Sequence, residues 1–303
     1  MTPYGAITAH RGGRELADME QLAPYVAGFS DDGSGVQDAD VMRAAMRKAA
    51  SLGKLIAAHC EDNTLLHGGY IHDGAYARAH GHKGISSESE WRQLERDLEL
   101  VRETGCAYHM CHVSTKESVA LIRRAKAQGL DVTCETAPHY LVLTEDDLRE
   151  DGSFKMNPPL RTQADRQALI EGILDGTVDM IATDHAPHTP AEKADFLHAP
   201  NGSIGMETSF AAAYTALVKT GVLTLTELIE KMSVRPAELL GIEAGAIGAG
   251  EVADIALIDE REAWVVDPEK LHGKSRNTPF KGMTLTGRVK ATVCGGRVVF
   301  NEL

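Results

Sequence analysis

Short apolar runs that stop on a carboxylate or an imidazole recur along this chain, with amphipathic stretches between them. Tyr4 to Thr8 reads as a strand, followed by a helix around Arg14 to Leu22. Val26 to Ser30 reads as a second strand, closed by Asp31-Asp32-Gly33. From Ala39 to Leu52, Met42, Ala45, Met46 and Ala49 give the i, i+3, i+4, i+7 face of a helix that Gly53 stops. Leu55 to His59 is the next strand. A polar loop of about thirty residues follows, a length that connectors seldom reach without a function.

Glu88 to Thr104 places Trp91, Leu94, Leu98 and Val101 on one helical face. Cys106 to His112 is a strand, Val119 to Gln128 a helix, Asp131 to Glu135 a strand and Ala164 to Leu174 a helix. Asp179 to Thr183 then delivers Asp184, His185 and His188. Six strand-then-helix units precede residue 233, which predicts a parallel sheet in an α/β fold. Functional side chains at the ends of several strands favour a barrel over an open sheet, although a closed barrel needs eight units. After residue 245 the pattern changes to short β segments at 250–258, 264–266 and 289–293. The division expected is 1–244 for a partial barrel and 245–303 for a small β appendage.

Composition changes this picture little. The chain has 303 residues, 43% apolar and 25% charged, enough for one large core. It carries no apolar run long enough for a membrane span and no basic-then-apolar start. A formal charge of −13 argues against nucleic acid or an anionic membrane as partner. Five cysteines without a C-x-x-C fit small hydrophobes in a reducing cytoplasm.

Taken singly, each strand-end residue has a plain alternative: Asp32 in an Asx turn, His59 and His112 as satisfied core histidines, Asp184 as a helix N-cap. Together, four strands of one series end in metal-competent ligands on the same side of the sheet. Two imidazoles with two carboxylates suit zinc or a similar divalent ion. His80-Gly-His82 has no strand before it, and His109 lies on the opposite strand parity from His112; both are expected to be bystanders. His67, His72, His198 and His272 fall in polar loops and carry no signal. Lys155-Met-Asn157-Pro-Pro-Leu-Arg161 and Pro200-Asn201-Gly202 suit substrate recognition.

The ordered set F-S-D-D-G, A-H-C-E-D, C-H-V-S-T, C-E-T-A-P-H, K-M-N-P-P-L-R, T-D-H-A-P-H and G-M-E-T closely resembles the bacterial type I dihydroorotases of the amidohydrolase superfamily. The resemblance implies a (β/α)8 TIM-type barrel with a β-sandwich appendage. It matches Asp32, His59 and His112 to metal ligands ending strands four, five and six, and Asp184 to a ligand and catalytic base ending strand eight. Asn157, His188 and the Asn201-Gly202 backbone match positions that hold the substrate ring and its carboxylate. The family opens with a strand carrying H-x-H, and none precedes Tyr4. The six strands are therefore expected to be strands three to eight, with on the order of a hundred residues missing.

The resemblance further implies Zn2+, one or two ions, and interconversion of dihydroorotate and N-carbamoyl-L-aspartate in pyrimidine synthesis, in the cytoplasm and as a homo-oligomer. Two alternatives stand beside it. One is a catalytically silent subunit scaffolding aspartate transcarbamoylase. The other is a hydantoinase- or allantoinase-like enzyme, although those relatives typically carry lysine where Asp32 stands.

Overall fold

The computed structural model describes residues 2–243 and 246–303, so the expected boundary between 244 and 245 lies outside the described residues. The chain forms two compact units: Met1–Glu150 with Lys155–Asp179, and Asp151–Phe154 with Met180–Leu303.

In the first unit, helix α1 (Met19–Leu22) precedes strand β1 (Gly28–Phe29), and helix α2 (Ala39–Ser51) leads to β2 (Leu55–Ala58). An excursion holds β3 (Ile71–His72), α3 (Ala75–His80) and β4 (Gly84–Ile85). Helix α4 (Glu88–Thr104), β5 (Tyr108–Met110), α5 (Lys116–Ala127), β6 (Val132–Thr136), α6 (Pro138–Val142) and α7 (Gln163–Leu174) follow. Strands β1, β2, β5 and β6 pair in that order, all parallel. Helix α2 packs on α4, α4 on α5 and α5 on α7, so consecutive helices are neighbours in one layer. A doubly wound sheet reverses strand order and covers both faces; an unreversed order with one helix layer is the arrangement of a barrel wall.

Local chemistry explains the helix limits. Asp38 accepts from the backbone N–H of Asp40 and Val41 to start α2, and Thr162 with Asp165 forms a capping box at α7. Gly53 and Gly105 take positive φ just beyond α2 and α4, where a side chain would be strained. Phe29, Met42, Met46, Ile56, Leu94 and Ile122 are fully buried between sheet and helices, each contributing about 1.5–3 kcal/mol of apolar burial.

Two expectations at the start of the chain are corrected. Tyr4 to Thr8 forms no strand: Gly5 bridges Phe29 and Thr8 bridges Leu16, each as an isolated pair. The helix expected from Arg14 begins only at Met19 and passes into a 3-10 turn at Ala23–Tyr25. The reason is visible at Asp31, whose buried carboxylate accepts the N–H of Ile7 and Thr8 and the Thr8 hydroxyl. Backbone hydrogen bonds tie only residues 3–5 to 27–30 (Ala27 N–H to Pro3, Gly5 N–H to Gly28, Ser30 N–H to Gly5), and from Ile7 onward the Asp31 side chain takes the place of a ladder.

The long polar loop is ordered. Strands β3 and β4 pair in parallel, and Arg161, expected to face a substrate or solvent, is buried beneath them. Its guanidinium donates to the Ile85 carbonyl at 2.9 Å and to His72 Nδ1 at 3.1 Å. His72 is therefore a buried acceptor, contrary to the reading that it carries no signal. His82 sits 2.6 Å from Glu150 and 2.7 Å from the Tyr70 hydroxyl.

The second unit begins with β7 (Met180–Ile181) and ends in a three-stranded antiparallel sheet. That sheet is ordered β10-β9-β8, from β8 (Ile255–Val265), β9 (Thr284–Cys294) and β10 (Arg297–Asn301). The segments expected at 250–258 and 264–266 are one continuous strand from Ile255, and β10 was not anticipated. A cluster of exposed residues on these strands hides their periodicity.

Candidate metal centre

Asp32, His59 and His112 follow β1, β2 and β5, the carboxyl ends of three adjacent parallel strands. His59 and His112 are buried, whereas the Asp32 side chain is 58% exposed and so faces open space. His59 Nδ1 lies 3.0 Å from His112 Nε2, with the rings edge to face at 77°. Asp32 Oδ1 lies 3.3 Å from His112 Nε2 and 3.9 Å from His59 Nδ1. A tetrahedral zinc with bonds near 2.0–2.1 Å spaces its ligand atoms about 3.3 Å apart. The three edges bracket that value, so the donor set fits a divalent ion in both chemistry and spacing.

The surroundings orient these donors. His112 has φ of 34°, a left-handed backbone uncommon outside glycine, which turns the chain as it leaves β5. Directly after it, Ser114 and Thr115 give their backbone N–H groups and hydroxyls to the buried carboxylate of Glu90 on α4, and Ser118 adds its hydroxyl. The hydrogen bond from His112 is the largest influence on Asp32 and outweighs the partial desolvation of its carboxylate by the neighbouring imidazoles. With the charges of both imidazoles, it lowers the Asp32 carboxyl to about 2. Such a group is an anion throughout the physiological range, as a ligand must be.

On the other side of His59, Nε2 lies 3.7 Å from Glu61 Oε2 and 3.4 Å from the Asn157 amide nitrogen. Asn157 Nδ2 donates to Glu61 Oε1 at 2.8 Å. Burial raises the Glu61 carboxyl, but hydrogen bonds from His59 and Asn157 and the charge of Arg161 bring it below its ordinary value. Glu61, which the sequence reading did not single out, is the acidic neighbour of both His59 and Asn157. Its signal was present: an acid two residues beyond a strand-end histidine, in A-H-C-E-D.

In the second unit, Asp184 follows β7 with φ of 46°, the same unusual conformation as His112. His185 Nδ1 accepts the N–H of Gly205 at 3.1 Å. His188 Nε2 donates to the Asn201 carbonyl at 2.8 Å, and the His188 N–H reaches Asn277 Oδ1 at 3.1 Å. Asn277 in turn donates to the carbonyls of Ala186 and Gly202. The second unit therefore brings His188, Asn201 and Gly202 together around an asparagine that the sequence pattern did not single out. Gly202 has φ of 127°, and a Cβ there would meet the Ala186 Cβ at 2.4 Å.

Parallel strands in barrel order, with imidazole and carboxylate donors at their carboxyl ends, define a class: metal-dependent α/β-barrel hydrolases. The chain belongs to the amidohydrolase family, whose model matches residues 3–299, and within that family to the dihydroorotases. It is 49% identical over 303 residues to the dihydroorotases of Bacillus cereus (strain AH820) and Bacillus caldolyticus, which covers 99% of this chain and 71% of each relative. Among solved structures it resembles the L-hydantoinase (dihydropyrimidinase) from Arthrobacter aurescens. The TM-score is 0.86 at 27% identity, over 99% of this chain and 70% of that one. A D-hydantoinase structure matches with a TM-score of 0.83 at 25% identity, over 99% and 70% of the two chains. These likenesses give the chain the amidohydrolase fold that its motif resemblance implied, and its class is that of hydrolases acting on cyclic amides.

Proposed function

We propose that this chain opens and closes the ring of dihydroorotate, interconverting it with N-carbamoyl-L-aspartate as a step of pyrimidine synthesis in the cytoplasm. The observation that carries the reading is the Asp32–His59–His112 triangle at the ends of three adjacent parallel strands. A bound divalent ion, zinc by preference, would lend Lewis acidity to an amide carbonyl and lower the pKa of water toward ~7. Asp32, His59 and His112 would hold it, in one- or two-ion form.

The chain's own residues take the remaining roles. Asp184, matched to the family's base, accepts a proton from water and returns it to the leaving ring nitrogen. Asn157 presents an amide N–H whose present partners are Glu61 and His59. Its exchange of those partners for a ring oxygen would couple substrate arrival to the histidine. His188 and the Asn201-Gly202 backbone offer hydrogen bonds to the ring and its carboxylate, and Asn277 fixes their conformation. We further propose the homo-oligomer as working form, and residues 1–244 and 245–303 as barrel and appendage.

A substrate panel tests this reading. The zinc-loaded chain is expected to hydrolyse dihydroorotate in preference to hydantoin and dihydrouracil, which lack the ring carboxylate. Asp184→Asn is expected to lower kcat about 10²–10⁴-fold, the range for loss of an acid–base group, while metal content stays measurable. Preference for hydantoin would overturn the substrate assignment.

A further inference from the structure

A second set of donors lies along β5 and β6 and shares no residue with the first, although β5 serves both. His109 and Cys111 stand two apart along the chain through β5, so they point to one face. Strand β6 runs parallel beside it, with His109 opposite Thr133 and Met110 opposite Cys134. Continuing that register places Cys111 beside Glu135. The opposite face is identified by Tyr108, whose hydroxyl donates to Asp97 on helix α4. His109, Cys111, Thr133 and Glu135 thus form a two-by-two lattice on the face turned away from the helix layer.

The donor atoms of His109, Cys111 and Glu135 all lie within 4.8 Å of one another. His109 Nε2 is 3.3 Å from Glu135 Oε2. The other ring nitrogen, Nδ1, is 2.8 Å from the Thr133 hydroxyl. A histidine ligand ordinarily has its second nitrogen held in this way, which sets the ring orientation and aims the first at the ion. The neighbour of His109 on β2 is Ala57, a small side chain. His109 itself is 1% exposed, so its position is imposed by packing.

A packing histidine needs no such company. The expectation that His109 only fills space, drawn from its strand parity, considered this residue without the strand beside it. One imidazole, one thiol and one carboxylate make a borderline-soft set, suited to zinc or cobalt and poorly suited to magnesium or calcium.

We propose that His109, Cys111 and Glu135 form a second, thiolate-containing site for a zinc-type divalent ion, with Thr133 as the positioning residue of its histidine. These three donors fill three of the four positions of a tetrahedral shell.

Cobalt(II) titration of the metal-free, full 303-residue chain tests this, because thiolate-to-cobalt charge transfer gives near-ultraviolet absorption that nitrogen and oxygen donors do not. The expected result is one cobalt ion beyond those held by the Asp32 set, with that absorption. His59→Ala should keep the thiolate band, Cys111→Ser should abolish it, and Thr133→Val should weaken the band-forming step about 10- to 100-fold. Should Cys111→Ser fail to fold, as read by circular dichroism, Glu135→Gln must weaken the same step at least tenfold. Cobalt binding to the wild-type chain without a thiolate band would overturn the proposal. So would a band that survives in folded Cys111→Ser, which would assign it to another cysteine.

Discussion

At the scale of single residues, the centre depends on two side chains held in unusual states. His112 leaves β5 with positive φ, and Asp32 is kept ionised by the hydrogen bond His112 provides. Asp32→Ala removes one donor and the anion that balances two imidazoles. It is therefore expected to reduce zinc affinity by at least tenfold, read by competition with a chromophoric chelator. A separate residue contributes to the pH dependence of folding between about pH 6.5 and 4. Burial first, and the Arg161 guanidinium second, lower the His72 imidazole from 6.5 to about 4. The unfolded chain thus takes up a proton near pH 6.5 that the folded chain refuses until about pH 4. Stability from this group is full above pH 6.5 and falls as pH drops through that window. His72→Asn is expected to flatten this part of the curve, measured as urea midpoints at about pH 7 and about pH 4.5. An unchanged slope would mean that the protonated ring is accommodated beside Arg161.

At the scale of elements, helix α4 is a structural arm of the site as well as part of the wall. Glu90 on its first turn accepts five hydrogen bonds from Ser114, Thr115 and Ser118, and so fixes the chain just past His112. Glu90→Ala would leave those buried donors unsatisfied. A loss of about 3 kcal/mol or more in urea unfolding is expected, together with weaker zinc binding. Glu90→Gln, which keeps the size and one acceptor, should lose less of both. If Glu90→Ala folded as stably as wild type, the network could not be what holds the strand end. In the second unit, Gly202→Ala is expected to cost about 1–3 kcal/mol, because a Cβ at φ of 127° meets Ala186.

The same scale shows what a sequence can reveal. Helices α2 and α4 were readable almost to the residue, because long amphipathic faces and flanking glycines are local signals. The strand-end positions of Asp32, His59, His112 and Asp184 were readable because each apolar run stops abruptly. Glu61 and Asn277 were not, since their roles exist only through partners distant in sequence: Asn157 for one, His188 and Gly202 for the other. The β3–β4 pair was hidden for a related reason. Two-residue strands have no period to detect, and Arg161, seventy-six positions from Ile85, supplies their support.

At the scale of the whole chain, a net charge of −13 coexists with a donor set that suits a cation and with the anionic substrate proposed for it. The local field of an ion held there would weigh more in recognition than the global charge does. Among the described residues, no helix is long and apolar enough to cross a membrane. Metal and fold should be thermodynamically linked, since the unfolded chain scatters donors that lie 27 to 80 positions apart. Stripping the ion with a chelator is expected to lower Tm, and zinc at about 100 times its Kd should restore about 2.7 kcal/mol of stability. An unchanged Tm would mean that the donors are equally well placed without an ion.

The central claim is that an ion held by Asp32, His59 and His112 serves ring opening of dihydroorotate. Steady-state dihydroorotate hydrolysis by the folded chain, titrated with zinc, tests it most directly. The account predicts turnover that rises with bound zinc in the wild-type chain and falls about 10²-fold or more in Asp32→Ala at the same zinc concentration. Turnover that ignores zinc, or a fully loaded and folded chain that leaves dihydroorotate intact, would contradict it.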